Sequence, residues 1–283
     1  MNIRKILVPI EDAEHERIAL RTAFAVARTF GAHVEGLHVR IEAAETVPFV
    51  GEGMSGAVVQ ELIDLSERES AARASGAREM FVREQHEAGM PTVAAPNAGG
   101  PSAAWIERSG REDEALVHLG RLSDLIVIGR PAPGDTSGTR MTLSVTLFET
   151  GRPVLVAGHE AYSVGKKIVV AWNGSAEAAR AVAAAMPFLH AAEQVTAVSV
   201  QEESAGRATL DDIADYLTWH GIASARFAVA PHGAAGQALA DAAAGADLVV
   251  MGGYSHSRLR ELILGGVTRY MLEKAAMPLL IVH

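Results

Sequence analysis

Residues 247–283 read DLVVMGGYSHSRLRELILGGVTRYMLEKAAMPLLIVH. The apolar run at 247–251 stops at Gly252 and Gly253, as a buried parallel strand does when it reaches a tight turn. The loop that follows is basic and rich in hydroxyl groups. This segment therefore predicts a strand, a glycine turn and a loop that carries many hydrogen-bond donors.

A second glycine pair, Gly265 and Gly266, precedes a helical segment at 267–276. Pro278 ends that helix, and an apolar strand follows at 279–282. The N-terminus of a helix presents unpaired backbone N–H groups and the positive end of the helix dipole, and both attract anions. The pattern therefore predicts a phosphate site where the loop meets the helix.

Three segments of the first half recur in the second half, in the same order. The matching pairs are 5–10 with 167–172, 123–129 with 246–252, and 153–156 with 278–281. Matches that keep their order over the whole length indicate two copies of one fold. We expect domains at 1–158 and 166–283, joined by a linker at 158–166 that contains two glycines.

Each copy alternates strand and helix signals. In the first copy the predicted strands are 4–10, 33–39, 104–108, 124–129 and 153–157, and the predicted helices are 14–30, 58–87, 112–122 and 141–150. In the second copy the predicted strands are 167–172, 194–200, 225–230, 247–251 and 279–282, and the predicted helices are 175–190, 207–221, 234–244 and 266–276. Such alternation predicts an α/β protein with two tandem, doubly wound, five-stranded parallel sheets.

The first copy is longer between its second strand and its fourth. It carries about 38 additional residues, among them a long polar helix and the Pro/Gly/Ala-rich segment 89–101. We interpret this segment as a surface loop in preference to a lid over a site.

The composition limits the kinds of molecule that the chain is expected to bind. The chain has 283 residues, is 49% hydrophobic, contains no cysteine and carries a net charge of -9. An acidic chain is not expected to bind nucleic acid or an anionic membrane through general electrostatics. The longest apolar runs are far short of a membrane span, and the start of the sequence lacks the long apolar core of a signal peptide, so we expect a cytoplasmic protein.

The loop spacing resembles the nucleotide loop of the universal stress protein family. That loop has Gly, two residues, Gly, nine residues and then Gly-Ser/Thr, and the corresponding positions here are Gly252, Ser255, Gly265 and Gly266. Ser255 stands where the family usually has Gly, and Gly266 stands where it usually has Ser or Thr. Ser255 remains small, and Gly266 keeps its backbone N–H but lacks a hydroxyl.

The resemblance implies a fold and a ligand. The fold is Rossmann-like, of the adenine nucleotide alpha-hydrolase-like type, with strand order 3-2-1-4-5 and a crevice between the first and fourth strands. The ligand is ATP or a related adenine nucleotide, with any Mg²⁺ held mainly by the phosphates. The role is a stress response in which the nucleotide regulates contact with an unknown protein partner, without rapid hydrolysis.

The residues expected to contact the nucleotide come from three strand tips of the second copy and the helix that follows. They are Trp172, Asn173, Val200, Gly252, Gly253, Ser255, His256, Ser257, Arg258, Gly265, Gly266, Val267 and Thr268. Asn173 stands where the family commonly has Asp near the nucleoside, and the backbone of Val200 is expected to contact adenine. Ser175 is interpreted mainly as the N-cap of the next helix.

The corresponding loop of the first copy departs further from this pattern. Arg140 and Met141 replace the pair at 265 and 266, and Arg130 replaces Gly253. A bulky side chain at the start of the helix would block close approach of a phosphate. We therefore expect one nucleotide per chain, in the second copy.

Two further expectations concern contacts between elements. The apolar strands at the ends of the copies would lie at sheet edges, so we expect them to pair antiparallel and to make the chain an internal dimer, with further homo-oligomers left open. The acidic cluster Glu11, Asp12, Glu14 and Glu16 is interpreted as complementing the dipole of the first helix.

Two other functions stay open from the sequence. One is an interaction module of the same fold that has lost nucleotide binding, which the departures at Asn173, Ser255 and Gly266 favour. The other is a slow ATP hydrolase, whose base would have to be His256 or a distal acid. No metal-ligand spacing, Walker loop or nucleophile elbow is present in the sequence.

Overall fold

The structure is a computed structural model, and it describes residues 2–11, 16–40, 56–93, 99–132, 138–160, 164–200, 208–230, 234–253 and 265–283. In the first half its elements are β1 (Lys5–Pro9), α1 (Arg17–Phe30), β2 (His33–Arg40), α2 (Gly56–Glu87), β3 (Ser102–Ser109), α3 (Glu112–Gly120), β4 (Leu125–Ile128), α4 (Gly138–Glu149) and β5 (Val154–Val156). In the second half they are β6 (Lys167–Ala171), α5 (Ala176–Ala191), β7 (Gln194–Ser199), α6 (Leu210–Trp219), β8 (Ala225–Ala228), α7 (Ala235–Ala242), β9 (Leu248–Gly252), α8 (Gly266–Lys274) and β10 (Leu279–Val282).

The ten strands form one sheet in the order β3-β2-β1-β4-β5-β10-β9-β6-β7-β8. Each half has the predicted order 3-2-1-4-5, and the strands within each half are parallel. The crossover connections place helices on both faces, as expected for a doubly wound sheet. The predicted fold class is confirmed.

The two halves meet through their last strands, as predicted. β5 and β10 pair antiparallel, with Leu280 opposite Leu155 and Ile281 opposite Val154. All four side chains are fully buried. The pairing turns two apolar edges into the centre of the sheet, where neither can pair with another chain.

The hydrophobic core has two layers, one on each face of the sheet. Leu155 and Leu280 belong to one layer, and Val156 and Ile281 belong to the other, because successive side chains of a strand point to opposite faces. Each layer contains residues from both halves. The core therefore continues across the junction between the copies.

Helix α2 accounts for much of the additional length of the first half. It has 32 residues and packs on α1 and β2. A Cβ at Gly36 in β2 would lie 2.6 Å from the ring of Phe81, so glycine is needed there for the helix to approach the strand. At the far end of α2 the buried Glu84 carboxylate accepts hydrogen bonds from Arg17 and Arg21 of α1.

The edges of the sheet differ between the halves. β3 begins with the buried residues Ser102 and Ala103, whereas all four residues of β8 are exposed. Trp219, at the end of α6, is 83% exposed, and Phe227 of β8 is 52% exposed. The second half thus has an exposed edge strand and two exposed aromatic side chains.

Most predicted boundaries lie within a few residues of the observed ones. The helix predicted at 207–221 is shorter, Leu210–Trp219, because Thr209 caps it. Thr209 accepts a hydrogen bond from the backbone of Asp212, and the Asp212 carboxylate accepts one from the backbone of Thr209, which is a capping box. Of the segment 89–101, Thr92 bridges to Ala103, and residues 94–98 lie outside the described residues.

The domain limits at 1–158 and 166–283 stay predictions. Within the described ranges, no helix has the length and apolarity needed to cross a membrane.

Candidate functional site

The crevice predicted in the second half lies at the carboxyl ends of β6, β7 and β9. β6 pairs with β7 on one side and with β9 on the other, so the strand order reverses at β6. The backbone brings the ends of the three strands, Ala171, Ser199 and Gly252, to one edge of the sheet. Each candidate nucleotide contact in the described chain lies at or just beyond this edge, or at the start of α8.

Trp172 directly follows β6 and belongs to the hydrophobic core. Its side chain is 8% exposed, and its indole N–H donates to the carbonyl of Ala208 at 2.9 Å. Its backbone N–H donates to the carbonyl of Val198 at 2.8 Å. The indole donor is therefore already used, and Trp172 offers an apolar surface rather than a hydrogen bond.

Asn173 and Ser175 shape the turn after β6. The Asn173 side-chain oxygen accepts a hydrogen bond from the backbone of Ser175 at 3.1 Å, and Gly174 between them has the left-handed φ of 66° that glycine tolerates. The Ser175 hydroxyl accepts from the backbone of Ala178 at 3.2 Å, which confirms its role as the N-cap of α5. The NH2 group of Asn173 takes no part in this turn.

Val200 follows the last residue of β7 and is half-buried against the second core layer. Its position after the strand end leaves its backbone at the crevice, as the expected main-chain contact requires. The residues that follow it, 201–207, lie outside the described part of the chain.

Gly252 and Gly253 have packing reasons to be glycine. A Cβ at Gly252 would lie 2.6 Å from the backbone nitrogen of Ala178, at the first turn of α5. A Cβ at Gly253 would lie 2.8 Å from a methyl group of Ile281. These two glycines allow α5 and β10 to approach the end of β9, and their presence alone does not indicate a ligand.

Gly265 and Gly266 differ in this respect. A Cβ at either position would meet no described atom within 4 Å, and both residues are exposed. Gly265 has φ -53°, a value that any residue adopts. Within the described residues, neither backbone strain nor close packing of the helix on the sheet explains the glycine pair.

The start of α8 offers backbone donors. Gly265 is its N-cap residue, and among the described residues no side chain caps this end of the helix. Within the described chain, the N–H groups of the first turn and the positive end of the dipole thus remain available for an anion. Val267 is half-buried and Thr268 is 4% exposed, so both side chains point toward the protein.

The described residues do not include four of the predicted contacts: Ser255, His256, Ser257 and Arg258.

The corresponding helix of the first half is α4, and a carboxylate side chain from the same half lies at its start. Glu11, just beyond β1, accepts a hydrogen bond from the Thr142 hydroxyl at 2.6 Å. A Cβ at Gly138, the first residue of α4, would overlap the other oxygen of the same carboxylate. A carboxylate thus occupies the place where a phosphate would approach this helix.

This contact corrects one expectation from the sequence. Glu11 was interpreted as a partner for the dipole of the first helix, but its carboxylate lies at α4, and α1 has no acidic residue in its first turn. Glu16 is the N-cap residue of α1 and makes no side-chain cap bond. The sequence did contain a signal, because the repeat aligns Glu11 with Asn173 at the candidate site.

Glu112, at the start of α3, lies beside Glu11. Burial raises the pKa of Glu112 to about 8, and both the charge of Glu11 and a hydrogen bond with Glu11 contribute to this rise. Both carboxyl groups line a cavity of about 230 Å³ at the ends of β1 and β2, together with His38 and Ser70. At neutral pH Glu112 is therefore mainly protonated.

The shared proton predicts a pH dependence of stability. Because the pKa of Glu112 is about 8 in the folded protein and 4.5 ordinarily, the folded chain binds the additional proton between these values. The free energy of unfolding should thus fall as the pH rises through this window, with the stabilisation complete below the lower value. We expect a fall of about 2–3 kcal/mol from this group, discounted for its partial exposure.

Urea unfolding at pH 5 and pH 9 measures this effect. Glu112→Gln should remove most of the fall, whereas Glu114→Gln, at an exposed carboxylate on the same helix, should keep it. An unchanged pH dependence in Glu112→Gln would contradict the shared proton.

The described residues contain no group of three or more His, Cys, Asp and Glu side chains arranged to hold a metal ion.

Comparisons with known proteins agree with the fold. The structure is similar to a universal stress protein from Archaeoglobus fulgidus DSM 4304, with a TM-score of 0.71, 15% identity, and coverage of 98% of this chain and 97% of that one. It is also similar to the functionally unknown protein PA1789 from Pseudomonas aeruginosa PAO1, with a TM-score of 0.58, 17% identity, and coverage of 99% and 92%. No curated protein matches the sequence.

The sequence itself shows which family the chain belongs to. The profile of the universal stress protein family matches residues 2–145 and residues 201–283, which together make up well over half of the chain and fall in both halves. The first matched segment contains β1 to β4, and the second contains β8 to β10. This chain belongs to the universal stress protein family, as a tandem member with two copies of the fold.

Proposed function

We propose that this protein binds an adenine nucleotide, ATP in the first instance, at the carboxyl edge of the second half of the sheet. The nucleotide acts as a regulatory ligand in a stress response. A single observation carries the proposal: Gly265 and Gly266 are exposed at the start of α8, and a Cβ at either position would meet no atom of the described chain within 4 Å. A ligand that must approach the backbone closely explains why both positions lack a side chain.

The contrast between the halves supports one site per chain. At the start of α4 the Glu11 carboxylate already interacts with the first turn of the helix, and Arg140 stands where the second half has Gly265. A phosphate at the start of α4 would be repelled by the Glu11 carboxylate, which already lies against Gly138. At the start of α8 neither obstacle exists in the described chain.

The nucleoside would lie toward β6 and β7. The NH2 group of Asn173 can donate a hydrogen bond to a ribose hydroxyl or a ring nitrogen, and the backbone of Val200 can meet the edge of adenine. Trp172 supplies an apolar wall. The phosphates would extend from there to Gly265, with Ser255 and Arg258 as further donors from the loop.

We also propose that the role is regulatory rather than catalytic. Mg²⁺ would be held by the phosphates, because Gly266 supplies no hydroxyl. His256 is the one histidine of the predicted loop, and hydrolysis would need it, or a distal acid, to activate water.

A second candidate function is an interaction module without a nucleotide. The exposed edge strand β8 and the exposed aromatic side chains of Trp219 and Phe227 favour it, since such surfaces mark contacts with other proteins. The two functions are compatible if the nucleotide governs the contact.

Retention of the nucleotide through purification tests the proposal. We expect absorbance shifted toward 260 nm and an adenine nucleotide identified by mass spectrometry after denaturation. A preparation that carries no nucleotide and does not bind added ATP would favour the interaction module alone.

A further inference from the structure

The side chain of Arg130 crosses from the first half of the chain to the end of α8 in the second. It follows β4, and its guanidinium donates to the carbonyls of Met271 at 3.0 Å, Leu272 at 2.9 Å and Met277 at 2.7 Å. Its Nε donates to the carbonyl of Ala157 at 3.1 Å. All three guanidinium nitrogens are therefore used, and three of the four bonds reach the second half.

The contact places a positive charge at the carboxyl end of α8. Burial lowers the pKa of Arg130 to about 10, so the group stays charged at neutral pH. The last carbonyls of a helix lack partners within the helix and carry the negative end of its dipole. Arg130, from the first half, donates hydrogen bonds to carbonyls at this end of α8 and places a positive charge beside the negative end of its dipole.

Arg140 makes a second contact with the same helix. Its guanidinium lies 3.2 Å from the carboxylate of Glu273, which also accepts from Arg269 one turn earlier on α8 at 3.0 Å. The side chains of Arg140 and Glu273 are 25% and 21% exposed. The pair is thus partly screened from solvent, and α8 is held at two points by the first half.

The two arginines stand at the positions where the second half has glycine. Arg130 aligns with Gly253 and Arg140 with Gly265, so the second half cannot return the same contacts to α4. The last carbonyl of α4, on Glu149, is instead bound by Arg121 of the same half at 3.1 Å. The arginines at these two positions of the first half therefore make a one-sided contact with the second half.

We propose that Arg130 and Arg140 position α8, and through it the Gly265–Gly266 anion site at the opposite end of the helix. With nine residues, α8 is about 14 Å long and moves as a rigid rod, so that displacement at one end displaces the other. The inference rests on the proposed nucleotide function for its ligand. The first half would then govern nucleotide affinity without contacting the nucleotide.

Two readouts on the full chain test this role. Hydrogen–deuterium exchange of the peptide that contains α8, without nucleotide, should be several-fold faster in Arg130→Met than in the wild type. The affinity for ATP, measured by calorimetry, should fall about tenfold. Substitutions of residues that do not contact the ligand typically change affinity by this order when they act through a coupled structural element. Arg140→Gln, a milder change at the partly exposed pair, should move both readouts in the same direction.

Matched variants separate positioning from general damage. Arg121→Met also removes an arginine bond to a helix end, but at α4, and should leave α8 exchange and ATP affinity unchanged. Arg130→Lys restores the charge and should recover part of the exchange protection and of the affinity.

The outcomes distinguish this inference from the proposed function. If the wild type does not bind ATP, the proposed function fails, and α8 exchange alone decides the positioning role. Unchanged α8 exchange in both Arg130→Met and Arg140→Gln would overturn the proposal. Faster exchange with unchanged ATP affinity would overturn the link to the anion site.

Discussion

Replacing Gly265 with valine is expected to abolish measurable ATP binding while the protein stays folded. A valine side chain at this position would lie where the phosphate must approach the N–H groups of α8. Losing two charge-assisted hydrogen bonds, each of about 1.5–3 kcal/mol, weakens binding by roughly 100-fold or more. The fold should tolerate the change, because a Cβ here meets no described atom within 4 Å and φ is -53°.

A graded series and a matched glycine provide the controls. Gly265→Ala should weaken ATP binding less than Gly265→Val, because its side chain is smaller. Gly76→Val, at another glycine whose Cβ would meet no described atom, lies in α2 away from the crevice and should bind ATP normally. A folded Gly265→Val protein that bound ATP as tightly as the wild type would show that the phosphate site is wrong.

Removing residues 277–283 is expected to make the protein aggregate. The deletion removes β10, and with it the buried residues Leu279, Leu280 and Ile281. Losing one large buried aliphatic side chain typically costs about 2–5 kcal/mol, so three together match the whole stability of an ordinary domain. It also exposes the apolar edges of β5 and β9, which can then pair with other chains.

Light scattering and thermal unfolding measure this effect. Removing only the exposed His283 should change neither solubility nor the unfolding temperature by more than a few degrees. Leu280→Ala should be soluble but less stable, by about 2–5 kcal/mol, than Leu122→Ala, at a leucine that is 63% exposed. A shortened chain that stayed monomeric and as heat-stable as the wild type would rule out a structural role for the β5–β10 pair.

The sequence was sufficient for the architecture because its signals are local and repeated. Apolar runs, glycine turns and the order of the matching segments predicted the ten strands, and the apolar ends predicted the pairing of β5 with β10. The observed helix limits differ where a cap determines them, as Thr209 does for α6. Such limits depend on single side-chain contacts, which periodicity does not reveal.

The candidate site was predictable in position but not in detail. The glycines at 252, 253, 265 and 266 look alike in the sequence, and the structure separates them by what a Cβ would meet. Trp172 was expected at the ligand, yet its indole N–H is used by Ala208. Whether a side chain faces a ligand or the core depends on packing partners that are distant in the sequence.

The first half shows the largest gap between sequence and structure. The sequence indicated that Arg130 and Arg140 replace glycines, but it did not show that both contact α8, more than 130 residues away. The contact between Glu11 and Thr142 is equally distant in the chain. Contacts of this kind follow from the sheet order and the side-chain geometry together.

Calorimetric titration of ATP into nucleotide-free, full-length protein tests the central claim most directly. We expect saturable binding with a stoichiometry of one, because the Gly265–Gly266 helix start meets no obstacle in the described chain and the Glu11 carboxylate occupies its counterpart. Two equal sites per chain would contradict the assignment to the second half. No binding at any ATP concentration up to the millimolar range would contradict the nucleotide site itself.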